Sequence, residues 1–469
     1  MLLAWTLACG GDQGTTPSST TADTAETDTP VEHSGTTAPV SVTCVEQPDN
    51  ALRQTCGVRV HPPAPVRLSW ARTDGLGAVR EAVDDTEVVA HTLDVVFLAP
   101  EQAYAWTLTA PDDPDTPLAT GTFTTGPLPR EARVQLETLS GTSTAPYLGM
   151  STPCTGGATA VIVETATSEV VWYQALADGP TFLEGVAFTE EHTVLGIDGD
   201  SVQEVDLAGN EVLRITPQDL GRRRVHHDVF RRDGLTYVLY QQAVALPSGS
   251  YLLDGFLVHR GREQVASWFL GDHITPSIPS PGQAIDWSHA NAVWADEQGN
   301  VLFSLRGQSA VLSIDGRWGT PEGGQIRWIL AAPDSELDSD LALASDLGGP
   351  ADFDRQHNPW LMPDGRLTMF DNRPPPEASR IIDLRVDEVA RTATIERAYT
   401  IPSDAPAGGH CDYQGSSWRT PDGRPLATCA PVRTAYEFDP DTAEVTWSAE
   451  ARCDGGSVTY IPRFVPLDW

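Results

Sequence analysis

The feature that most restricts how this chain can fold is a turn followed by an apolar strand, which returns along its C-terminal two thirds. It reads RDGLTYVLY from Arg232, EQGNVLFSLR from Glu297, PDGRLTMF from Pro363 and PDGRPLATC from Pro421. These turns recur at intervals of about sixty residues, the mark of a repeat architecture. Between them lie strands that end on tryptophan: EVVW to Trp172, QVASW to Trp268, QIRW to Trp328 and EVTW to Trp447. One turn-strand and one tryptophan strand per period predict a four-stranded unit. Roughly 320 residues from Pro146 onward, at about 40–60 per unit, give five to seven blades, with six as the best value. Radial closure leaves no long unpaired sheet edge, so this much β sequence can stay in solution. A large sandwich or a β-helix explains the double period less simply. The expected fold class is all-β, a six-bladed β-propeller over 146–469.

Composition agrees with β structure. Gly 40 and Pro 37 supply many turns, and 40% hydrophobic residues suffice for a core. Sixty-five Asp plus Glu against 30 Lys plus Arg give a net charge of -35, which disfavours nucleic acid or an anionic membrane surface as partner. An anionic ligand would need a locally basic pocket.

Ahead of the repeat, residues 41–130 hold short alternating segments such as VRLSWA and YAWTLTA, separated by Pro, Gly and Asp clusters. They predict a small β-sandwich. Its end, LAPEQAYAWTLTA followed by GTFTTGPLP, resembles the last strands of fibronectin type III domains, and a role as spacer or brace is expected. Residues 10–40 are almost free of large apolar side chains and read as a disordered linker. Residues 1–9 resemble the truncated end of a bacterial lipoprotein signal, with Cys9 as the lipidated residue. No apolar run approaches the roughly 20 residues of a spanning helix. The chain is therefore expected to be exported, to the periplasm or cell surface, with membrane contact only through a lipid anchor.

Six cysteines remain: Cys44, Cys56, Cys154, Cys411, Cys429 and Cys453. An even number without CxxC pairs suggests disulfides rather than zinc. Sequence alone does not fix their connectivity. Short loops favour Cys44 with Cys56 and Cys411 with Cys429, and Cys154 with Cys453 would then join the ends of the large domain.

Four segments place unusual polar residues at strand ends: VHHDVF with His226 and His227, DWSHANAVW with His289, FSLRGQS with Arg306, and RQHNPW with His357. A lone histidine is most often structural. Here three of the segments stand at similar distances ahead of a DG-like turn, so equivalent blade positions would gather the histidines at one axial end. Imidazoles with a guanidinium suit an oxyanion, because arginine forks onto two oxygens and histidine donates, accepts or attacks near neutral pH. A metal is the second reading. Carboxylates distributed with the turns, and an arginine that would repel a dication, count against it. Trp287, Trp294 and Trp360 could shape an aromatic pocket or simply pack blades. Asp371 and Asn372 read as a turn or as support for the site.

The segments DWSHANAV, VLFSLRGQSAVLSID, QIRWIL and QHNPWLMPDGRLTMFDN, in that order, together with the tail TYIPRFVPL, resemble the bacterial arylsulfotransferase family. The likeness runs from about Tyr147 to the end and is most specific over Asp286 to Asn372. It implies a sulfotransferase that moves sulfate from a phenolic sulfate donor to a phenol acceptor through a sulfohistidine, by a ping-pong reaction without a nucleotide donor, cofactor or metal. It places the nucleophile at His357, the sulfate-binding arginine at Arg306 and a supporting histidine at His289. A further histidine falls at His227 or, less favoured, His226. His226, Asn291 and Gln356 are assigned to substrate binding. A homo-oligomer is compatible with this reading. The competing function is a non-catalytic surface propeller that binds a glycan, peptide or anionic ligand; a metal-dependent lyase or hydrolase on the same scaffold is third.

Overall fold

The computed structural model describes residues 40–469 apart from 153, 155–157, 177–182, 184, 198–199, 278–279 and 454–460. The expected signal at 1–9, Cys9 and nearly all of the linker at 10–40 lie outside the described residues. Val40–Trp469 form one unit. It is all-β, with only short 3-10 turns beside the strands among the described residues.

The recurrent sequence elements take fixed places in the sheets. Each DG-like turn joins the first and second strands of an antiparallel sheet, as between Arg224–Arg232 and Leu235–Leu246, or between Ala290–Ala295 and Val301–Leu305. The reason is conformational: Asp233, Gly234, Gly299, Gly365 and Gly423 all have positive φ, which glycine and aspartate tolerate best. Trp172, Trp268, Trp328 and Trp447 lie on the fourth strands of their sheets and are buried. There they fill the wide gaps between neighbouring sheets.

Six antiparallel sheets follow the N-terminal one among the described residues. Their first strands are Gly185–Phe188, Arg224–Arg232, Ala290–Ala295, His357–Leu361, Ser416–Arg419 and Val465–Leu467. Each of these strands touches the next, and Gly185–Phe188 also meets Tyr147–Ser151, which pairs with Val465–Leu467. Chain segments distant in sequence thus share the last sheet. Val134–Gly141, earlier than Pro146, adds an outer strand to Val445–Cys453. Ser280–Asp286 and Ala342–Ser345 add parallel strands to the second and fourth sheets, an arrangement absent from the sequence pattern.

At the N-terminus, a five-stranded sheet is built on the long strand Asn50–Arg72. Its first half carries Val40–Gln47, its second half Ala103–Thr109, and Arg80–Val95 pairs along both. This region is fastened to the last sheet through Arg53, which donates to Gln174 Oε1 and to the Tyr173 carbonyl, and through Arg80, which donates to the Trp469 carbonyl. The cysteines pair as expected: Cys44–Cys56, Cys411–Cys429 and Cys154–Cys453. The last bridge spans a sequence separation of 299 and ties an early segment to the strand Val445–Cys453.

Candidate functional site

The three histidine segments open the first strands of consecutive sheets, and each strand is interrupted there. Pairing passes from Val225↔Tyr240 to Val229↔Val238, from Ala290↔Leu305 to Ala292↔Ser304, and from His357↔Phe370 to Trp360↔Thr368. Each step leaves extra residues on the inner strand, a bulge that re-aims side chains. His227, His289 and Asn358 take positive φ of 59, 42 and 48°, unusual for residues with a Cβ.

These bulges bring the predicted residues together. The rings of His227 and His289 are edge to face with centroids 5.2 Å apart, and His226 stands perpendicular to His227 at 4.8 Å. Arg306 follows the strand Val301–Leu305 and is anchored by its own N–H, which donates to the His289 carbonyl at 3.2 Å. Among the described residues its guanidinium has no carboxylate within ion-pair distance. Its charge bears on His357 from close by. His357 is buried, with Nδ1 2.6 Å from Asn372 Oδ1. Asn372 donates through Nδ2 to the carbonyls of Cys411 and Gln414, so its oxygen faces the ring and accepts from Nδ1–H. The lone pair of His357 is therefore on Nε2.

Burial dominates the electrostatics. It pushes the His357 imidazole down to about 3, helped by the charges of Arg306 and His289 and opposed by the Asn372 hydrogen bond. His227 is driven well below the usual histidine range by burial, then by His226, His289, His357 and Arg463. Burial, with Arg355 next, also lowers Arg306. Desolvation raises Asp286, but its hydrogen bond to His289 Nδ1 at 2.6 Å and nearby histidine charge outweigh it, and its pKa is lowered.

A pH prediction arises from His357. The unfolded imidazole, near 6.5, takes up a proton that the folded one refuses until about 3. Stability held above pH 6.5 is thus lost as pH falls toward 3, at up to about 1.4 kcal/mol per pH unit for this group. Urea midpoints between pH 6.5 and 4 should fall less steeply for His357→Gln than for the wild type; equal slopes would contradict the assignment.

Several expectations need correction. Carboxylates are not confined to the turns: Asp286 backs His289, and Asp254, fully buried, lies 2.9 Å from His226 Nε2. Asp254 sits in the apolar strand segment YLLDGFLVH, and a lone acid in such a run was the available signal. Asn291 and Gln356, assigned to substrate, spend their amide N–H groups within the protein, while Asn291 Oδ1 and Gln356 Oε1 make no hydrogen bond among the described residues. Asn291 Nδ2 donates to the Gln356 carbonyl, and the fully buried Gln356 donates to Ser304 Oγ and the Ala310 carbonyl. The equivalent bulge residues act alike: Asp228 accepts from Val293 N–H, and Asn358 accepts from Ser417 N–H. Each therefore latches its strand to the next sheet. Asp228 also pairs with Arg463, which sequence reasoning missed despite its place in the PRF tail. Asp371 is buried, accepts from Asp354 N–H and Arg380, and is raised by burial to about 6; it braces the fourth sheet.

The tryptophans divide. Trp287 is buried and donates to Glu336. Trp294 and Trp360 line a cavity of about 830 Å³ with Trp418, Trp469, Arg232 and Arg463; Asp228 and Asn358 also line it, but His226, His227, His289 and His357 do not. Among the described residues no group of three or more His, Cys, Asp or Glu is arranged to hold a metal ion.

Among solved structures, the chain is similar to a protein of unknown function from Bacteroides caccae at 15% identity and TM-score 0.40, covering 70% of this chain and 100% of that one. It is also similar to virginiamycin B lyase from Staphylococcus aureus at 13% identity and TM-score 0.33, covering 58% and 71%. An auxiliary nutrient binding protein from Bacteroides thetaiotaomicron VPI-5482 matches at 10% identity and TM-score 0.34, covering 88% and 87%. None of these likenesses bears on activity. No curated protein matches. The model of the arylsulfotransferase (ASST) family matches residues 155–400, over half of the chain, a span that contains all four of His227, His289, Arg306 and His357. The chain belongs to the arylsulfotransferase family.

Proposed function

We propose that this protein transfers a sulfuryl group from a phenolic sulfate ester to a phenol by a ping-pong mechanism through a sulfohistidine on His357. Family membership supports aryl sulfotransfer in general. The observation that carries the finer reading is the state of His357: buried, neutral at physiological pH, and fixed by Asn372 with its lone pair on Nε2.

In the first half-reaction Nε2 attacks sulfur in line with the aryl oxygen; the N–S bond forms as the S–O bond breaks, and its electron pair leaves on the phenol oxygen. Arg306 forks onto the sulfuryl oxygens, with His289 fixed beside it by Asp286. The second half-reaction reverses these steps with another phenol. The six sheets are read as the blades of a propeller, supported by the ring of touching first strands. The N-terminal region is read as a fibronectin-III-like brace, supported by pairing that changes partners along Asn50–Arg72. Export is supported by the three disulfides, and lipidation at Cys9 belongs to the same reading.

The test is mass spectrometry of the protein quenched after mixing with p-nitrophenyl sulfate, with and without a chelator. A sulfuryl adduct on His357, insensitive to chelator and discharged by added phenol, is expected. Turnover without any adduct would favour direct transfer, and no turnover at all would favour a binding propeller.

A further inference from the structure

Behind His227 lies a chain of hydrogen-bonding groups that the reaction above does not yet use. His226 Nδ1 is 2.6 Å from His227 Nδ1, and His226 Nε2 is 2.9 Å from Asp254 Oδ1. His226 is 5% exposed and Asp254 is fully buried. The other carboxylate oxygen of Asp254 accepts from Ser288 Oγ and from Ala290 N–H, both at 2.7 Å. A carboxylate only accepts, so His226 Nε2 carries the proton of that bond. With His226 neutral, its Nδ1 accepts from Nδ1–H of His227, which leaves the Nε2 lone pair of His227 free beside His289.

We propose that Asp254 and His226 are positioning residues of a proton relay, through which His227 gives a proton to the leaving phenol oxygen and recovers one from the acceptor phenol. This rests on the sulfotransferase reading. The steps balance. As an acceptor phenol attacks the sulfohistidine, its O–H proton passes to His227 Nε2, and the Nδ1 proton of His227 moves to Nδ1 of His226. The positive charge comes to rest on His226 against the Asp254 carboxylate. The unloaded enzyme that meets the donor is the state this acceptor step leaves, with the extra proton on His226 Nδ1 and a hydrogen on His227 Nε2; in the donor half-reaction the same protons run back, and the departing aryl oxygen takes the proton from His227 Nε2.

The surroundings favour moving the charge outward. Burial and the nearby His289, His357 and Arg463 disfavour an imidazolium on His227 itself. One ring further back, the fixed acceptor is a carboxylate. The relay also gives the two adjacent histidines different tasks: His227 meets the substrate oxygen and His226 does not.

The experiment is single-turnover loading of His357 from aryl sulfates of rising leaving-phenol pKa, in wild type, Asp254→Asn and His226→Gln. A poor leaving group needs the proton; p-nitrophenol hardly does. General acid catalysis contributes about 10²–10⁴-fold, so both variants should load from phenyl sulfate at least about 100-fold more slowly, yet from p-nitrophenyl sulfate within about 10-fold of wild type. A uniform loss across the series, as from mere loosening, would overturn the relay, as would no loss. Should Asp254→Asn fail to fold without its full set of acceptors, His226→Gln carries the comparison. Wild type alone also reports: loading from phenyl sulfate should slow in D₂O while loading from p-nitrophenyl sulfate does not, and equal ratios would refute proton transfer. Failure of wild type to load His357 at all would instead refute the sulfotransferase reading.

Discussion

His357→Ala is expected to reduce aryl sulfate turnover by roughly 10⁴-fold or more, with no burst of p-nitrophenol release, when p-nitrophenyl sulfate is the donor and phenol the acceptor. The size follows from the role: without Nε2 there is no covalent intermediate, and only binding and charge stabilisation around the sulfuryl group remain. The ring is buried and its loss leaves a cavity, so folding must be read alongside by unfolding midpoint. A variant that folds and keeps turnover within about tenfold would remove His357 from the chemistry.

The second large effect is expected at Arg306. Arg306→Lys keeps the charge but loses the planar fork, so kcat/KM should fall by about 10²–10³-fold. Charge without geometry restores little where two oxygens must be held at once. Because the arginine's side chain is half-buried and without a carboxylate partner among the described residues, the unfolding midpoint should hardly move. A variant as active as wild type would show that a point charge suffices.

Turn chemistry and bulky outer-strand residues made much of the fold legible. Asp-Gly and related pairs mark the hinge of the first hairpin, and tryptophans mark the fourth strands, because each satisfies a local demand that few other residues meet. Where the demand is met differently the pattern fades. In the sheet that begins at Gly185–Phe188, the positive φ of the first turn falls on His192, with no glycine to announce it. The added parallel strands Ser280–Asp286 and Ala342–Ser345 arise from tertiary pairing and leave no local mark.

The site was legible as residue types at matching positions, but not as geometry. Nothing in VHHDVF or WSHAN reveals a bulge, since histidine and asparagine, though enriched at positive φ, adopt it too seldom for one residue to announce it. The supporting partners were harder still. Asp254 is 28 residues from the His226 it meets, and Arg463 is 235 residues from Asp228. The amide N–H groups of Asn291 and Gln356 bond between sheets, which their place beside the histidines does not reveal.

Those inter-sheet bonds have a consequence for how the protein meets its substrate. Asp228, Asn291 and Asn358 each follow within two residues of a predicted site histidine and each grips the neighbouring sheet, so four consecutive sheets are pinned one to the next. The spacing of these first strands is settled on folding, before any ligand arrives. Under the proposed function, the entropy of assembling an oxyanion cradle is then charged to folding rather than to binding.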